Sequence, residues 1–362
     1  MSKIIILLPK INTSGGYFEA RNLAAFFRSN KLSVSIKSIF PTYASRYGSI
    51  FSLPYRTIIL LVNFITLRPS LVILTHFSTF FFAPILRLFG FSVAYFVQDL
   101  EWIFPSRNRF IQKIFYTYCR ICFSFASFFF FGNTYLLHSF QQLGIVSDDN
   151  SFLFPVGIDI SEKFTSLSLE KYSDSLFTKT SYDYDVTFLL RNPWFKNNSF
   201  YFDVLNQLSK YSKIPNIRVL IVDMRHKPLR ALTIPNLDIS ICYSLDQSDF
   251  YKVIMSSRFL LCLSLHEGFG LPPFEAMYLG RTLPLVLDNG GCRCYLTELP
   301  ELLLDRDSDS YTVASRLISL LFYDQSRLDT LLQKAHLIAM NYIERSMQSR
   351  NYSFKRMISK LF

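Results

Sequence analysis

The sequence has few cysteines and no cysteine-rich motif. Six cysteines among 362 residues are too few for a secreted scaffold held together by disulfides. Cys119 and Cys122 form a C-x2-C pair, but they lie in an aromatic, apolar stretch. Buried reduced thiols fit that context better than half of a zinc site does. We therefore expect neither a disulfide framework nor a metal.

Acidic side chains are nearly missing from the first part of the chain. Residues 1–147 contain fourteen Lys and Arg but only three Asp and Glu, whereas the remainder contains 24 of each sign. The whole net charge of +11 therefore lies in the first 147 residues. A basic half that is rich in Phe and Tyr suggests an anionic partner, and we expect a lipid surface rather than a nucleic acid. A solvated basic face without a dedicated partner is the alternative.

Long uninterrupted apolar runs are also missing. The opening segment MSKIIILLPK has only six apolar residues before Pro9, too few for a signal-peptide core. The most apolar stretch, residues 77–98, is interrupted by Pro84, Arg87 and Gly90 and divides into a helix and a strand. We expect a cytoplasmic protein, peripheral to the inner face of the plasma membrane, with no spanning segment.

What the sequence does contain is a repeated alternation of strand-like and helix-like segments. Short apolar runs such as KIIILLP, SLVILTHF and FSVAYFVQ are separated by amphipathic stretches. This order is typical of an α/β fold with parallel sheets covered by helices. The alternation stops in a Ser-, Thr- and Lys-rich stretch and then restarts with VTFLL. The pattern predicts two domains, residues 1–165 and 186–340, joined by a linker over 166–185 and followed by a final helix over 341–362.

The strongest local signal is LSLHEGFGLPPFEAMYLG, residues 263–280. An apolar strand ends at Glu267, two glycines permit a tight turn, and a pair of prolines starts a helix. Ligands of open α/β sheets bind at such strand ends, and a helix N-terminus favours an anion there. Glu275 follows Glu267 after seven residues, and carboxylates beside a phosphate site suit the hydroxyls of a sugar or ribose.

The Glu-x7-Glu arrangement in EGFGLPPFEAM resembles the signature of the retaining glycosyltransferases of family 4. Four further segments are similar to parts of that family, in the expected order. They are SGGYFEARNLAAFF, QDLEWIF (as in some rhamnosyltransferase-like members), FPVGID and VTFLLRNPWFKNN. The resemblance implies the GT-B fold, in which two Rossmann-like domains carry parallel sheets that face each other across a cleft. The first domain would bind the acceptor and the second the nucleotide sugar, and the final helix would return to the first.

The resemblance also implies roles for individual residues. Arg191 and Lys196 would bind the donor diphosphate and neutralise the leaving group. Glu267 would be the catalytic carboxylate beside the anomeric carbon, and Glu275 would hold the ribose hydroxyls. Backbone groups would line the sugar and phosphates at Gly268, Phe269, Gly270, Leu271, Gly15 and Gly16.

The implied reaction moves a hexose or deoxyhexose from a nucleotide-diphosphate sugar to a glycan or lipid-linked acceptor. The configuration would be retained, and the product would belong to a cell-surface polysaccharide. The donor is a co-substrate, and neither a metal nor another cofactor is required where cationic side chains and helix termini stabilise the leaving group.

The acceptor side departs from the family pattern. Many members have a His where this chain has Gln98 and Asp99. Asp99 or Glu101 would take an acceptor-orienting or base role there. Asp99 is the catalytic candidate, and Glu101 and His76 are candidate acceptor contacts. A lone His at a strand end is more often structural than functional.

Three other functions compete with this interpretation. A metal-dependent GT-A glycosyltransferase needs an Asp-x-Asp after a strand, whereas Asp183 and Asp185 precede theirs. A sugar-nucleotide epimerase would share the two-domain fold without needing a basic, aromatic half. A non-catalytic nucleic-acid or membrane-binding protein would use the positive charge but leave the Glu267–Glu275 segment unexplained.

Overall fold

The chain divides into two compact units in the computed structural model. Unit 1 is Met1–Val156 with Ser346–Phe362, and unit 2 is Gly157–Arg345. The described residues are 3–10, 15–40, 53–103, 105–156, 182–192, 194–211, 216–225, 227–243 and 245–361. Of the predicted linker, only residues 182–185 are described, and the last two of them begin a strand.

Unit 1 contains a parallel sheet of six strands, sheet 1. Its strands are β1 Lys3–Lys10, β2 Ser33–Phe40, β3 Leu71–Leu74, β4 Val93–Val97, β5 Phe128–Phe131 and β6 Ser151–Leu153. They are arranged in the order β2-β1-β3-β4-β5-β6. The direction of winding therefore reverses between β1 and β3, and such a switch point leaves a crevice at the carboxyl ends of the strands.

The helices of unit 1 cover both faces of sheet 1. They are α1 Gly15–Ser29, α2 Leu53–Leu67, α3 Phe82–Leu88, α4 Arg109–Phe123 and α5 Thr134–Gln142. Short 3-10 turns cover Phe77–Thr79 and Glu101–Ile103. Residues of α2, α3, α4 and α5 share one buried cluster with alternate residues of β1, β3, β4 and β5, so these four helices lie on the same face.

The opposite face of sheet 1 packs on α1 and on the end of the last helix. The Phe27 ring lies 5.5 Å from that of Phe154 and 6.0 Å from that of Phe354, between ring centroids. The Ser353 hydroxyl accepts a hydrogen bond from the Leu153 N–H at 3.0 Å. Aromatic packing on both faces explains why so many Phe residues are needed, since each buried ring contributes about 1.5–3 kcal/mol.

Unit 2 contains a second parallel sheet of six strands, sheet 2. Its strands are β7 Tyr184–Leu190, β8 Ile217–Asp223, β9 Leu237–Tyr243, β10 Ser257–Cys262, β11 Leu283–Leu287 and β12 Leu303–Leu304. Their order is β12-β11-β10-β7-β8-β9. The winding reverses between the neighbouring strands β7 and β10, which is the second switch point of the chain.

The helices of unit 2 connect these strands. They are α6 Asn198–Leu208, α7 Gln247–Met255, α8 Leu271–Leu279, α9 Arg293–Leu296, α10 Ser310–Leu321 and the first part of α11 Gln325–Leu361. A 3-10 turn covers Trp194–Lys196. None of the helices in the described residues is both long and apolar enough to cross a lipid bilayer.

Candidate functional site

Three of the predicted donor-binding residues meet at the switch point of sheet 2. Arg191 directly follows β7, Lys196 ends the 3-10 turn after it, and Glu267 follows the neighbouring strand β10. Because β7 and β10 run parallel and side by side, their carboxyl ends bring these side chains together.

One carboxylate oxygen of Glu267 lies within ion-pair distance of both Lys196 and Arg191. Glu267 Oε1 lies 2.5 Å from Lys196 Nζ and 3.2 Å from Arg191 Nη2. The Glu267 and Lys196 side chains are largely buried, with exposed fractions of 14% and 11%, and that of Arg191 is 28% exposed. Two positive charges and one negative charge leave this cluster with a net charge of +1.

The cations keep Glu267 ionised. Burial by itself would raise the pKa of the Glu267 carboxyl, but the charges of Lys196 and Arg191 and hydrogen bonds from Lys196 and Ser264 outweigh it. The pKa therefore lies below its ordinary value. Glu267 is a carboxylate at neutral pH and cannot act as a proton donor in this state.

The loop between β7 and α6 holds both cations in place. The Asn198 side chain donates to the Arg191 carbonyl at 2.8 Å, and its oxygen accepts from the Arg191 N–H at 3.2 Å. The Leu265 N–H donates to the Phe195 carbonyl at 2.8 Å, which ties this loop to the segment after β10. Asn197 adopts a left-handed conformation (φ 59°) that ends the 3-10 turn and lets α6 begin.

Gly291 supports the turn that presents Glu267. A Cβ atom at this position would lie 2.6 Å from the Glu267 carbonyl oxygen and from the backbone of Gly268. The Asp288 carboxylate accepts from the Gly290 N–H at 3.1 Å and is paired with Arg293 Nη2 at 2.5 Å. Gly291 is thus required by close backbone approach, and Asp288 with Arg293 fixes the loop that contains it.

The residues after Glu267 form a turn that leads into α8. Gly270 adopts a left-handed conformation (φ 83°) as the residue preceding Leu271, the first residue of the helix. Its carbonyl accepts from the buried Tyr295 hydroxyl at 2.8 Å. The Phe269 ring is buried against Phe274 and Tyr295, with centroids 5.1 Å away in each case. The predicted backbone contacts Gly268–Leu271 therefore belong to a rigidly packed turn.

Glu275 lies inside unit 2 on α8. It is 5% exposed, and its Oε1 accepts a hydrogen bond from the Tyr251 hydroxyl at 2.9 Å. Tyr251 belongs to α7 and is itself 1% exposed. A buried carboxylate needs such a donor, so Tyr251 positions Glu275.

The second group of predicted residues lies at the carboxyl ends of β1, β3 and β4 in unit 1. Gly15 and Gly16 start α1, His76 and Phe77 follow β3, and Asp99 and Glu101 follow β4. Gln98 Nε2 donates to the Gly16 carbonyl at 3.2 Å, and a Cβ on Gly16 would lie 2.6 Å from Gln98 Oε1. Gln98 therefore packs directly on the glycine-bearing start of α1.

His76 caps the 3-10 turn that follows β3. Its Nδ1 accepts from the Ser78 N–H at 3.2 Å, and burial lowers the pKa of the imidazole to about 4. The ring is therefore neutral at pH 7. Asp99 is partly exposed, and its Oδ1 accepts from the Leu100 N–H at 2.9 Å.

Glu101 is more buried than an acceptor contact would suggest. The side chain is 3% exposed, and its Oε2 accepts from the Phe77 N–H. The Tyr95 hydroxyl lies near this carboxyl but makes no well-aligned hydrogen bond within the described part of the chain. Burial raises the pKa of the Glu101 carboxyl to about 8, against the opposing effect of the nearby Tyr95 hydroxyl and of the Phe77 N–H and with a further increase from Asp99.

We expect Glu101 to make folding stability depend on pH. Between its ordinary pKa of 4.5 and about 8, the folded protein keeps a proton that the unfolded chain releases. Stability therefore falls as pH rises through this window and levels off above it, by on the order of several kcal/mol in total. Urea denaturation at pH 5 and pH 8.5 should show Glu101→Gln gaining stability relative to the wild type as pH rises.

The exposed Glu298 is the control for this measurement. Glu298→Gln should leave the pH dependence of unfolding unchanged, because that side chain is exposed in the folded protein. Equal pH dependence in the wild type and in Glu101→Gln would show that Glu101 is not the group responsible.

Several residues that support the site could not be recognised from the sequence. Tyr251, Tyr295, Ser264 and the pair Asp288–Arg293 hold the predicted residues in place, as described above. Arg306 is another: its guanidinium lies 3.2 Å from His266 Nδ1. Of these residues, only Asp288 had a visible signal, because it follows the apolar run LPLVL and is separated by one residue from two glycines. Within the described residues, no three His, Cys, Asp or Glu side chains gather where they could hold a metal ion.

No protein-family model matches the chain. A short segment of 58 residues is 41% identical to "Putative glycosyltransferase 41" of Sulfolobus islandicus filamentous virus, covering 16% of this chain and 17% of that protein. The match thus spans about a sixth of the relative's length.

Solved structures match the chain over its whole length. Sucrose-phosphate synthase from Thermosynechococcus elongatus superposes with a TM-score of 0.71 at 13% identity, covering 99% of this chain and 100% of that one. The fold is GT-B. A trehalose-6-phosphate synthase studied for glycosyl transfer with retention gives 0.67 at 13% identity, with 99% of both chains covered. Anabaena Alr3699/HepE in complex with UDP-glucose gives 0.66 at 13% identity, covering 99% and 100%. The predicted α/β, two-sheet GT-B fold is confirmed.

Proposed function

We propose that the chain is a glycosyltransferase that takes a sugar from a nucleotide-diphosphate sugar. The observation that supports this most is the carboxylate of Glu267 held between Lys196 and Arg191 at the switch point of sheet 2. Such a crevice is where α/β sheets bind nucleotides. Two cations beside one carboxylate suit a ligand that presents a diphosphate next to a sugar.

The two cations would bind the diphosphate and stabilise it as it leaves. Arg191 offers a planar set of donors for two phosphate oxygens, and Lys196 offers a compact point charge. As the glycosidic bond breaks, negative charge develops on the diphosphate, and preorganised cations stabilise this charge most in a water-poor site. Glu267, released from the cations by the phosphates, would face the positive charge at the anomeric carbon.

The nucleoside end of the donor would lie near Glu275. A buried carboxylate can accept hydrogen bonds from both ribose hydroxyls, and the Tyr251 hydroxyl, which donates to Glu275 Oε1 at 2.9 Å, holds this carboxylate in place. Gly268–Leu271 would line the sugar and phosphates with backbone groups. This assignment needs no metal ion.

The proposal extends to the enzyme family, the transferred sugar, the acceptor and the place of the reaction in the cell. We propose membership of the retaining glycosyltransferases of family 4, transfer of a hexose or deoxyhexose, and a glycan or lipid-linked acceptor in cell-surface polysaccharide synthesis. Asp99, with Glu101 and His76 nearby, would serve the acceptor in unit 1, the acceptor-binding domain of this scheme. The enzyme would work in the cytoplasm at the inner face of the plasma membrane.

Donor binding should stabilise the folded protein. In a thermal-shift screen of nucleotide sugars and free nucleoside diphosphates, starting with UDP-glucose, we expect one nucleotide family to raise Tm by a few degrees. Saturation at about a hundred times Kd corresponds to roughly 2.7 kcal/mol. Arg191→Ala and Glu275→Ala should each abolish the shift, because they remove a phosphate and a ribose contact.

Arg218→Ala is the matched control for Arg191→Ala. Arg218 is also paired with a carboxylate, that of Asp185 at 3.0 Å, but both residues lie near the amino ends of β7 and β8. This variant should keep the donor-induced shift. A folded wild type that responds to no nucleotide, or a shift that survives Arg191→Ala, would contradict the proposed site.

A further inference from the structure

The outer surface of α4 combines exposed apolar and basic side chains. Phe110, Ile114 and Ile121 are 70%, 52% and 58% exposed, and their spacing places them in one stripe along the helix. The exposed residues Arg109, Lys113 and Arg120 form the adjacent stripe. The opposite side of α4 is firmly attached to unit 1, since Cys119, Cys122 and Phe123 belong to its buried cluster.

The same surface continues onto α2 and α3. Ile58, Val62 and Ile65 of α2 are 60%, 56% and 46% exposed, at positions that again form one stripe. Leu88 and Phe89 at the end of α3 are 86% and 53% exposed. Because α2, α3 and α4 cover the same face of sheet 1, their exposed apolar side chains all lie on that side of unit 1, which we call the α2–α4 face. Several exposed apolar side chains gathered on one side of a domain mark an interaction site.

The charge of this face identifies its partner. The chain contains no Asp or Glu in residues 20–98 or 102–147, so α2, α3 and α4 contribute basic residues only. Glu101, one of the two acidic residues between these ranges, is buried. A second copy of the chain would bring two basic surfaces together, which is unfavourable. An anionic lipid surface offers both a place for the apolar side chains and negative charges for Arg and Lys.

The geometry points to α2–α4 as a face that lies on an anionic bilayer. Phe110, Ile114 and Ile121 enter the boundary between headgroups and acyl chains, with α4 parallel to the membrane plane. Arg109 and Lys113 extend from the same helix to the lipid phosphates, as long basic side chains do at such interfaces. The Arg120 guanidinium also donates to the Leu143 carbonyl at 2.9 Å, which holds its charge at the edge of the face.

Vesicle co-sedimentation of the full chain tests this inference. The wild type should sediment with phosphatidylserine-containing vesicles, sediment little with phosphatidylcholine alone, and bind less at high salt. Arg109→Gln with Lys113→Gln should weaken binding about 25-fold, since each basic residue contributes about fivefold near an anionic surface. Phe110→Ser, Ile114→Ser and Ile121→Ser together should weaken it by at least about tenfold.

A matched control removes equally exposed apolar side chains elsewhere. Tyr311, Phe322 and Leu337 of unit 2 are 60%, 62% and 59% exposed, and their triple replacement by Ser should leave vesicle binding unchanged. Hydrogen exchange of the wild type should also slow at α4 when vesicles are added. Both triple variants should keep the wild-type melting temperature and any donor-induced shift, so this test is separate from that of the proposed function.

Three results would overturn the inference. One is a wild type that ignores anionic vesicles, and a second is vesicle binding that the α4 variants leave intact. The third is self-association in light scattering that the α4 variants abolish, which would assign the face to a second copy.

Discussion

Glu267→Gln is expected to reduce sugar transfer by at least about 10²–10³-fold, the usual effect of removing one preorganised electrostatic group. The amide keeps the shape of the side chain but removes the negative charge between Lys196 and Arg191. Those two cations then repel each other without compensation in a largely buried site. Initial rates with the nucleotide sugar found in the thermal-shift screen measure the effect. Since the cations remain, binding of the free nucleoside diphosphate should be kept or strengthened.

Asp185→Asn is the matched control. It also removes a carboxylate from an ion pair in sheet 2, with Arg218, but at the amino ends of the strands. Its kcat should stay within a few-fold of the wild type. A Glu267→Gln enzyme with wild-type kcat would remove Glu267 from the reaction, and a loss of diphosphate binding would show that its role is to fold the site.

Gly291→Ala should unfold the turn that presents Glu267. A Cβ atom there would be 2.6 Å from the Glu267 and Gly268 backbones, and backbone cannot rotate away as a side chain can. We expect a loss of about 2–4 kcal/mol in the free energy of unfolding, at the upper end of single-residue effects. Denaturant unfolding measures this loss, and donor binding should disappear with it.

Gly132→Ala is the comparison for steric crowding alone. Its Cβ would lie 2.9 Å from Val156 Cγ1, a side-chain atom in unit 1 that can move. The stability cost should be about 1–2 kcal/mol, because the buried Val156 side chain has to shift, and donor binding should persist. If Gly291→Ala is as mild as Gly132→Ala, the turn is more adaptable than its packing implies.

Most strands of the fold were predictable from the sequence. Runs such as VTFLL and IRVLIVDM are short, apolar and bounded by polar residues, and they became β7 and β8. The strands Ser151–Leu153 and Leu303–Leu304 were not predicted, because two or three residues are too few to stand out. Helix α2 was missed because LPYRTIILLVNFITL is apolar on all sides and shows no helical period.

The candidate site was only partly predictable. The motifs indicated Glu267, Arg191 and Lys196 individually, but their meeting depends on β7 and β10 being neighbours although 66 residues separate the end of β7 from the start of β10. The burial of Glu101 was not predictable from its position after a strand. Tyr251 and Tyr295 carry no local pattern, since a tyrosine that supports a site looks like any other core tyrosine in the sequence.

The packing around Trp194 gives the site its own optical signal. The chain has two tryptophans, one in each unit. Trp102 packs on Tyr116 and Phe140 in unit 1, and Trp194 is two residues before Lys196 with its ring 6.4 Å from that of His266. With Trp102 replaced by Phe, tryptophan fluorescence would come from the loop of Lys196 alone, so emission could follow ligand arrival there in real time and without a label.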